Sequence, residues 1–175
     1  LVEIEQLRPL LDEFARLSGI PIGLVSYPEL EVLVSAGWRD LCSRLHANHP
    51  AAGAICTQHH RSLLDPHVAT RGAAVSPCAH GLTECAAPVQ VEGETVAGLL
   101  TGQVLLAPPD RERCRQVARG FGLPEAEYLQ AMEQAPVVDQ DRLLAMSTFL
   151  GRLAGFIAQL AEGRLAVRRG LEHAA

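Results

Sequence analysis

The sequence contains no lysine. All 15 of its basic residues are arginine, a bias we read as nucleotide composition or heat adaptation and not as a sign of function. Long apolar runs are also missing. The longest, such as 104–109, fall far short of the roughly 20 residues that a membrane-spanning helix needs. Leu1 is not followed by a basic-then-apolar leader. The chain is therefore expected to be soluble and cytoplasmic, with no membrane contact. There is no excess of positive charge either: the formal net charge is −5 and the pI about 5.8. Without a basic field to gather phosphates, direct nucleic-acid contact by this segment is not expected.

Close Cys-x2-Cys pairs are absent, and the five cysteines are an odd number in a chain with no leader. A disulfide framework is thus excluded, and the zinc-finger and ferredoxin spacings are missing. No glycine-rich loop opens a helix to cradle phosphate. No oxyanion signature accompanies the one local Cys/His/carboxylate set, Cys78, His80 and Glu84. No complete catalytic set is present, and the protein is not expected to be an enzyme.

What is present is a foldable chain of 175 residues, 48% hydrophobic and 20% charged, with mean hydropathy +0.12. That length buries about 70% of its unfolded surface around one core. It begins without methionine and is expected to be a piece of a longer protein. Ile4, Leu7, Leu11 and Phe14 recur at helical spacing before Gly19, predicting a helix over 1–17. Segments 21–26 and 30–35 flank Tyr27-Pro28-Glu29 and predict a hairpin. Helices are predicted over 40–47 and 50–64, the second opened by Pro50 and stopped near Asp65-Pro66. A second hairpin is predicted from 86–91 and 95–106 around Glu92-Gly93-Glu94, then helices over 110–119 and 124–134. One long helix closes the chain. Its seam of Leu143, Met146, Leu150, Leu153, Ile157 and Leu160 is broken at Arg164 and resumed by Val167 and Leu171. That seam fits a helix lying on its own core as well as a dimeric or signalling coiled coil. Together these elements make an α+β domain, residues 1–138, with an antiparallel sheet, helices on one face and loops on the other, and 139–175 as its closing helix.

The chemistry concentrates at Pro77-Cys78-Ala-His80-Gly81-Leu82-Thr-Glu84-Cys85. Here a loop leaving a strand carries a thiol and an imidazole two residues apart, on the same side if extended. Cys42 and Cys56 lie on or beside the two helices between the hairpins. A fold that packs those helices over the loop gathers three or four thiolates and one imidazole, with spacing Cys-x13-Cys-x21-Cys-x6-Cys. The competing reading is that these cysteines are small buried hydrophobes. His46, His49, His59, His60 and His67 fit exposed polar helix faces and are expected to be solvated. Gln103 interrupts an apolar strand, so it is either half-exposed or buried against a ligand or neighbouring loop that satisfies it. Trp38, after Gly37, is expected to be a packing anchor.

In order and in wording, the chain resembles the PocR sensory domain family. The resemblance is carried by Phe14-Ala-Arg-Leu-Ser-Gly19-Ile-Pro, Asp40-Leu-Cys42, Cys56, Cys78-Ala-His80-Gly81-Leu82 with Ala87-Pro88-Val89, and Gly98-Leu-Leu-Thr-Gly102-Gln103-Val. It implies a PAS- or GAF-like input domain of a signalling or transcription-regulatory protein that senses small organic molecules. The last helix would connect it to an effector domain, and the heptad face of that helix predicts a homodimer through it. Cys42, Cys56 and Cys78 look like the family's cysteines, and His80 like the histidine of its Cys-x-His motif. Cys85 departs from the pattern and would supply a fourth thiolate. With the resemblance, the expected cofactor is an iron–sulfur cluster, [4Fe-4S], held by Cys42, Cys56, Cys78 and Cys85. It would report redox state or a diatomic gas, with His80 and Gln103 beside it. The alternative is a small-molecule sensor in which zinc is structural or no metal is bound.

Overall fold

The computed structural model describes residues 4–65, 67–68 and 72–173. The first three residues of the predicted opening helix, the predicted stop at Pro66 and the last two residues of the 139–175 segment lie outside them.

Helix α1 spans Ile4–Ser18, and Gly19 closes it with φ +69°, donating its N–H to the Ala15 carbonyl. Strands β1 (Ile22–Ser26) and β2 (Val32–Ala36) pair antiparallel. A π-helical turn, Leu41–His46, and helix α2, Pro50–Leu63, follow. Strand β3 (Ala74–Pro77) leads into β4 (Thr83–Val91) and β5 (Glu94–Val104). Helices α3 (Arg111–Phe121) and α4 (Glu125–Glu133) precede the 34-residue α5, Gln140–His173. The antiparallel sheet has the order β2-β1-β5-β4-β3. This is the expected α+β, PAS/GAF-like architecture with a long C-terminal helix.

Strand alternation sorts the side chains onto two faces. Ile22, Leu24, Cys85, Ala87, Val89 and Leu99 point to one, where Leu7 and Leu11 of α1 and Leu150, Leu153, Ala154 and Ile157 of α5 complete the main core. The opposite face, expected to carry loops, is also crossed by α2. There Leu63 and Leu64 pack on Val25, Ala74, Ala86 and Leu100. Helices α3 and α4 form a third cluster with Leu41 and Leu45 of the π-turn and Leu82.

The predicted seam of α5 divides. Met146, Leu150, Leu153 and Ile157 turn to the sheet, whereas Leu160, Val167 and Leu171 are exposed together with Phe156. A sequence search for unbroken apolar runs also understated this helix. By length and composition α5 is long and apolar enough to cross a membrane, with one 18-residue stretch of mean hydropathy 1.4, because alanine and glycine dilute its charge. A third of that stretch is buried against its own domain.

Candidate metal centre and adjoining cavity

Three segments converge at one end of the sheet. The π-turn brings Cys42 and His46, its widened winding marked by the hydrogen bond from the Ala47 N–H to the Cys42 carbonyl at 3.2 Å. Such turns recur at functional sites. Helix α2 begins at Pro50 behind a cap in which His49 Nδ1 accepts from the Ala52 N–H, and presents Cys56, His59 and His60 within one turn. Gly53 lets it approach: a Cβ there would stand 3.3 Å from the His46 carbonyl oxygen. The third segment is the β3–β4 connection. The Cys78 N–H donates to the Leu82 carbonyl at 2.7 Å and the Gly81 N–H to the Cys78 carbonyl at 3.0 Å, so the predicted loop is a tight turn. Gly81 takes φ +92°, Leu82 anchors in the α3–α4 cluster, and His80 turns inward to 3% exposure.

The result is a cluster of metal-ligating groups. Donor atoms of His46, Cys56 and His80 all lie within 4.8 Å of one another. The rings of His46 and His80 stack with centroids 3.8 Å apart. None of their four nitrogens makes a hydrogen bond of good geometry. Cys42 and Cys78 adjoin Cys56 closely enough for their charges to interact. Burial pushes the Cys78 thiol up to about 11 and Cys56 to about 12, with the Glu84 carboxylate as the next cause, and it raises Cys42 further. Burial, followed by His80, depresses His46 to about 4. Without a cation the site is thus an array of neutral thiols and neutral imidazoles. A metal ion or cluster reverses that balance by stabilising thiolates. The unpartnered imidazole nitrogens and the sulfur-rich donor set fit such a group.

Glu84 is the charged member. It is 8% exposed, and His60 Nε2 stands 3.1 Å and His59 Nε2 3.4 Å from its Oε2. Burial raises the carboxyl, but the hydrogen bond from His60 and the charges of His60 and His59 outweigh this and hold it below its ordinary value. A register irregularity between Thr83 and Glu84 sets where this side chain leaves β4. Opposite it, a Cβ on Gly102 would lie 2.6 Å from the Thr83 carbonyl oxygen and 2.7 Å from Glu84 Cα, and Gly102 has φ +124°. Only glycine fits there. Gln103, at φ +52°, is buried. Its Oε1 accepts from the Arg39 N–H at 3.2 Å, so the neighbouring loop supplies the partner its burial requires.

Beside the cluster lies a cavity of about 330 Å³. Trp38, Leu30, Val32 and Leu100 form its apolar wall; Cys42, Cys56, His60, Glu84 and Gln103 form its polar end. Trp38 lies over Gly23, where a Cβ would come within 2.7 Å of the indole, so the anchor is also a cavity wall.

Of the residues singled out from sequence, Cys56 and His80 come within ligand reach of one another, joined by His46; Cys42 and Cys78 lie near enough for their charges to interact with Cys56, and Gln103 borders the cavity that Cys42 and Cys56 line. Cys85 does not join them. Strand alternation turns it to the α1/α5 side, where it is fully buried among Leu150, Leu153 and Leu99. The expectation of solvated histidines is corrected for three of five: His46 is 1% exposed, and His59 and His60 face Glu84 because α2 lies on the sheet. His67 lies past the end of α2 and is exposed, so it shares no helix face with His60. Sequence reasoning read His46 as solvated, considered Glu84 only in a discarded catalytic set, and did not single out the buried Tyr128. The available signal was that His59-His60 follows Cys56 by one turn, the spacing of a shared face.

No curated protein matches the chain. Among solved structures, a GAF domain/HD domain protein from Geobacter sulfurreducens is 11% identical, covering 91% of this chain and 94% of that one, at TM-score 0.44. The C-terminal domain of the E. coli transcriptional regulator KdgR is 16% identical, covering 75% and 99%, at TM-score 0.37. An IclR homolog from Microbacterium hydrocarbonoxydans, complexed with 4-hydroxybenzoate, is 15% identical, covering 76% and 70%, at TM-score 0.33. The family model described as the sensory domain found in PocR matches residues 1–162, and with nearly the whole chain covered, this protein belongs to that family.

Proposed function

We propose that this sensory domain is an input module whose signal is read at a metal centre held by Cys42, Cys56 and Cys78, with His80 as the non-thiolate ligand and His46 beside it. The observation that carries the reading is the pair of buried, stacked imidazoles whose nitrogens make no hydrogen bond of good geometry, set within ligand reach of the half-buried Cys56 thiol. An iron–sulfur cluster is favoured over a single zinc ion. Donors exceed the four a tetrahedral ion uses, and Cys42 and Cys56 border open volume in which a larger group is accommodated. Bound there, a cluster supplies a redox- or gas-labile charge. The chain's own residues hold it between the π-turn, α2 and the β3–β4 turn, so its loss frees three segments at once.

The output runs through α5, which packs on β4 and β5 and continues past the core with Val167 and Leu171 exposed. We read that exposed face as the surface for a second copy and the helix as the connection to an effector domain. The test is anaerobic purification with iron, zinc and acid-labile sulfide analysis and an absorption spectrum. Iron with sulfide supports the cluster. Colourless zinc-loaded or metal-free protein sets it aside.

A second reading is favoured by the cavity itself: a small organic molecule seated against Trp38, with Gln103 and Glu84 as its polar contacts. Among the described residues no arginine lines this cavity, and Glu84 is a buried carboxylate, so a neutral ligand is preferred to an anion. Thermal-shift screening of the metal-free protein with neutral and anionic compounds of similar size tests it. A shift confined to anions contradicts it.

A further inference from the structure

Tyr128 has no role in the centre described so far, yet its side chain is the largest of those fully buried. It sits on α4 at 0% exposure, packed with Leu41, Leu45, Leu82 and Met132, its ring 5.6 Å from that of His46. Its hydroxyl is buried and makes no hydrogen bond. Buried tyrosine hydroxyls ordinarily find a partner, because an unmade bond in the interior is costly. Cys114 belongs to the same cluster, and Cys42 and Cys78 pack against it. Burial first, and then the thiols of Cys114, Cys78, Cys42 and Cys56, act on its ionisation. A neutral thiol is a weak acceptor, whereas a metal-bound thiolate or an inorganic sulfide is a strong one.

The helix that carries Tyr128 is fastened to the segment that carries Cys42. Glu127 pairs with Arg44, and Arg39 Nη1 donates to the Gln134 carbonyl at 3.0 Å. The helix, and with it the buried ring, is therefore held against the segment that carries Cys42.

We infer that Tyr128 donates its hydroxyl proton in a hydrogen bond to a sulfur of the centre held by Cys42, Cys56 and Cys78; this rests on the metal-centre reading above. Tyr128 is a tuning residue and not a ligand. A donor to sulfur stabilises the reduced, more negative form of a cluster and raises its reduction potential.

The test compares midpoint potentials of the anaerobically loaded wild type, Tyr128→Phe, and Tyr27→Phe carrying 3-fluorotyrosine at 128. The chain has only two tyrosines, so the last variant is labelled at a single place. Tyr128→Phe is expected to keep its iron and sulfide and to favour the oxidised form about tenfold, a fall of about 59 mV for one electron. The fluorinated phenol, a stronger donor, is expected to shift the potential upward. A role in packing alone moves neither. Equal potentials in equally loaded proteins overturn the inference. Wild-type protein without iron and sulfide overturns instead the reading on which it rests, and the inference with it. If Tyr128→Phe fails to load, the fluorinated protein decides alone.

Discussion

The rings of His46 and His80 lie 3.8 Å apart with 27° between their planes, although they belong to the π-turn and the β3–β4 turn, 34 residues apart in sequence. Two imidazoles in contact with no hydrogen bond of good geometry are poorly stabilised unless a shared guest accepts their lone pairs. His80→Ala and His46→Ala are therefore expected to weaken metal binding at least 10-fold. A chelator competition titration checks this. Unchanged affinity in both variants means the rings only pack.

The cysteines are expected to divide by face of the sheet. Serine at Cys42, Cys56 or Cys78 removes bound iron and sulfide. Cys85→Ser leaves metal content unchanged and costs about 1–3 kcal/mol, because it buries a hydroxyl among Leu99, Leu150 and Leu153. Elemental analysis and urea unfolding of the four variants read both effects. Metal loss in Cys85→Ser contradicts the division.

Gly102→Ala is expected to be among the most damaging single-methyl changes in the chain. The added Cβ meets the Thr83 carbonyl oxygen at 2.6 Å and Glu84 Cα at 2.7 Å, from a backbone at φ +124°. A destabilisation above about 3 kcal/mol follows from strain and overpacking together, with Glu84 displaced from His60. By contrast Gly120→Ala, on the exposed face of α3 with nothing within 4 Å of its Cβ, is expected to stabilise slightly. Equal effects at the two positions in urea unfolding would falsify the argument from close approach.

The far part of α5 is tied to the β4–β5 turn by Arg169 and Glu92, with Nη2 to Oε2 at 2.8 Å. The hydrogen bond from Arg169 is the chief cause holding the Glu92 carboxyl below its ordinary value. Because the native value is depressed, the pair's contribution is complete above about pH 4.3, the free glutamate value, and is lost as pH falls through the native one. Protection of the amides at 165–173, taken relative to their intrinsic exchange rates at each pH, is expected to fall on acidification in the wild type. In Arg169→Ala the same amides should be weakly protected at both pH values.

Val167 and Leu171 stand 65% and 68% exposed, one helical turn apart. Replacing both by glutamate is expected to shift sedimentation equilibrium toward monomer without altering metal content, since neither touches the site. A wild type that is already monomeric at tens of micromolar removes the dimer reading.

Elements whose periodicity is local were legible from residue order. The span of α2 followed from Pro50 and the apolar spacing after it, and α5 from its repeats. What residue order could not show is which face each element turns to which neighbour. His46, His59 and His60 sit in a polar stretch that reads as solvated until α2 is laid on the sheet, where Glu84 meets them. Cys85 follows Glu84 directly, and a strand sends the two in opposite directions. A cysteine near the motif in sequence is thereby remote from it in space. Tyr128 lies outside every motif. Only the docking of α4 against the π-turn brings it to the sulfurs.

Gly23 and Gly98 stand on neighbouring strands and face the same side of the sheet as the cavity. A Cβ on Gly23 would strike Trp38, and one on Gly98 would come within 2.4 Å of the Leu64 side chain. Trp38 and Leu64 thus lie directly on bare backbone, and the position of Trp38 as a cavity wall depends on an atom that Gly23 does not have. A single methyl on Gly23 would lift Trp38 into the space. Cys42, Cys56, Glu84 and Gln103 would be left as they are. The volume beside Trp38 is therefore adjustable by one carbon while the polar side chains of the cavity stay where they are.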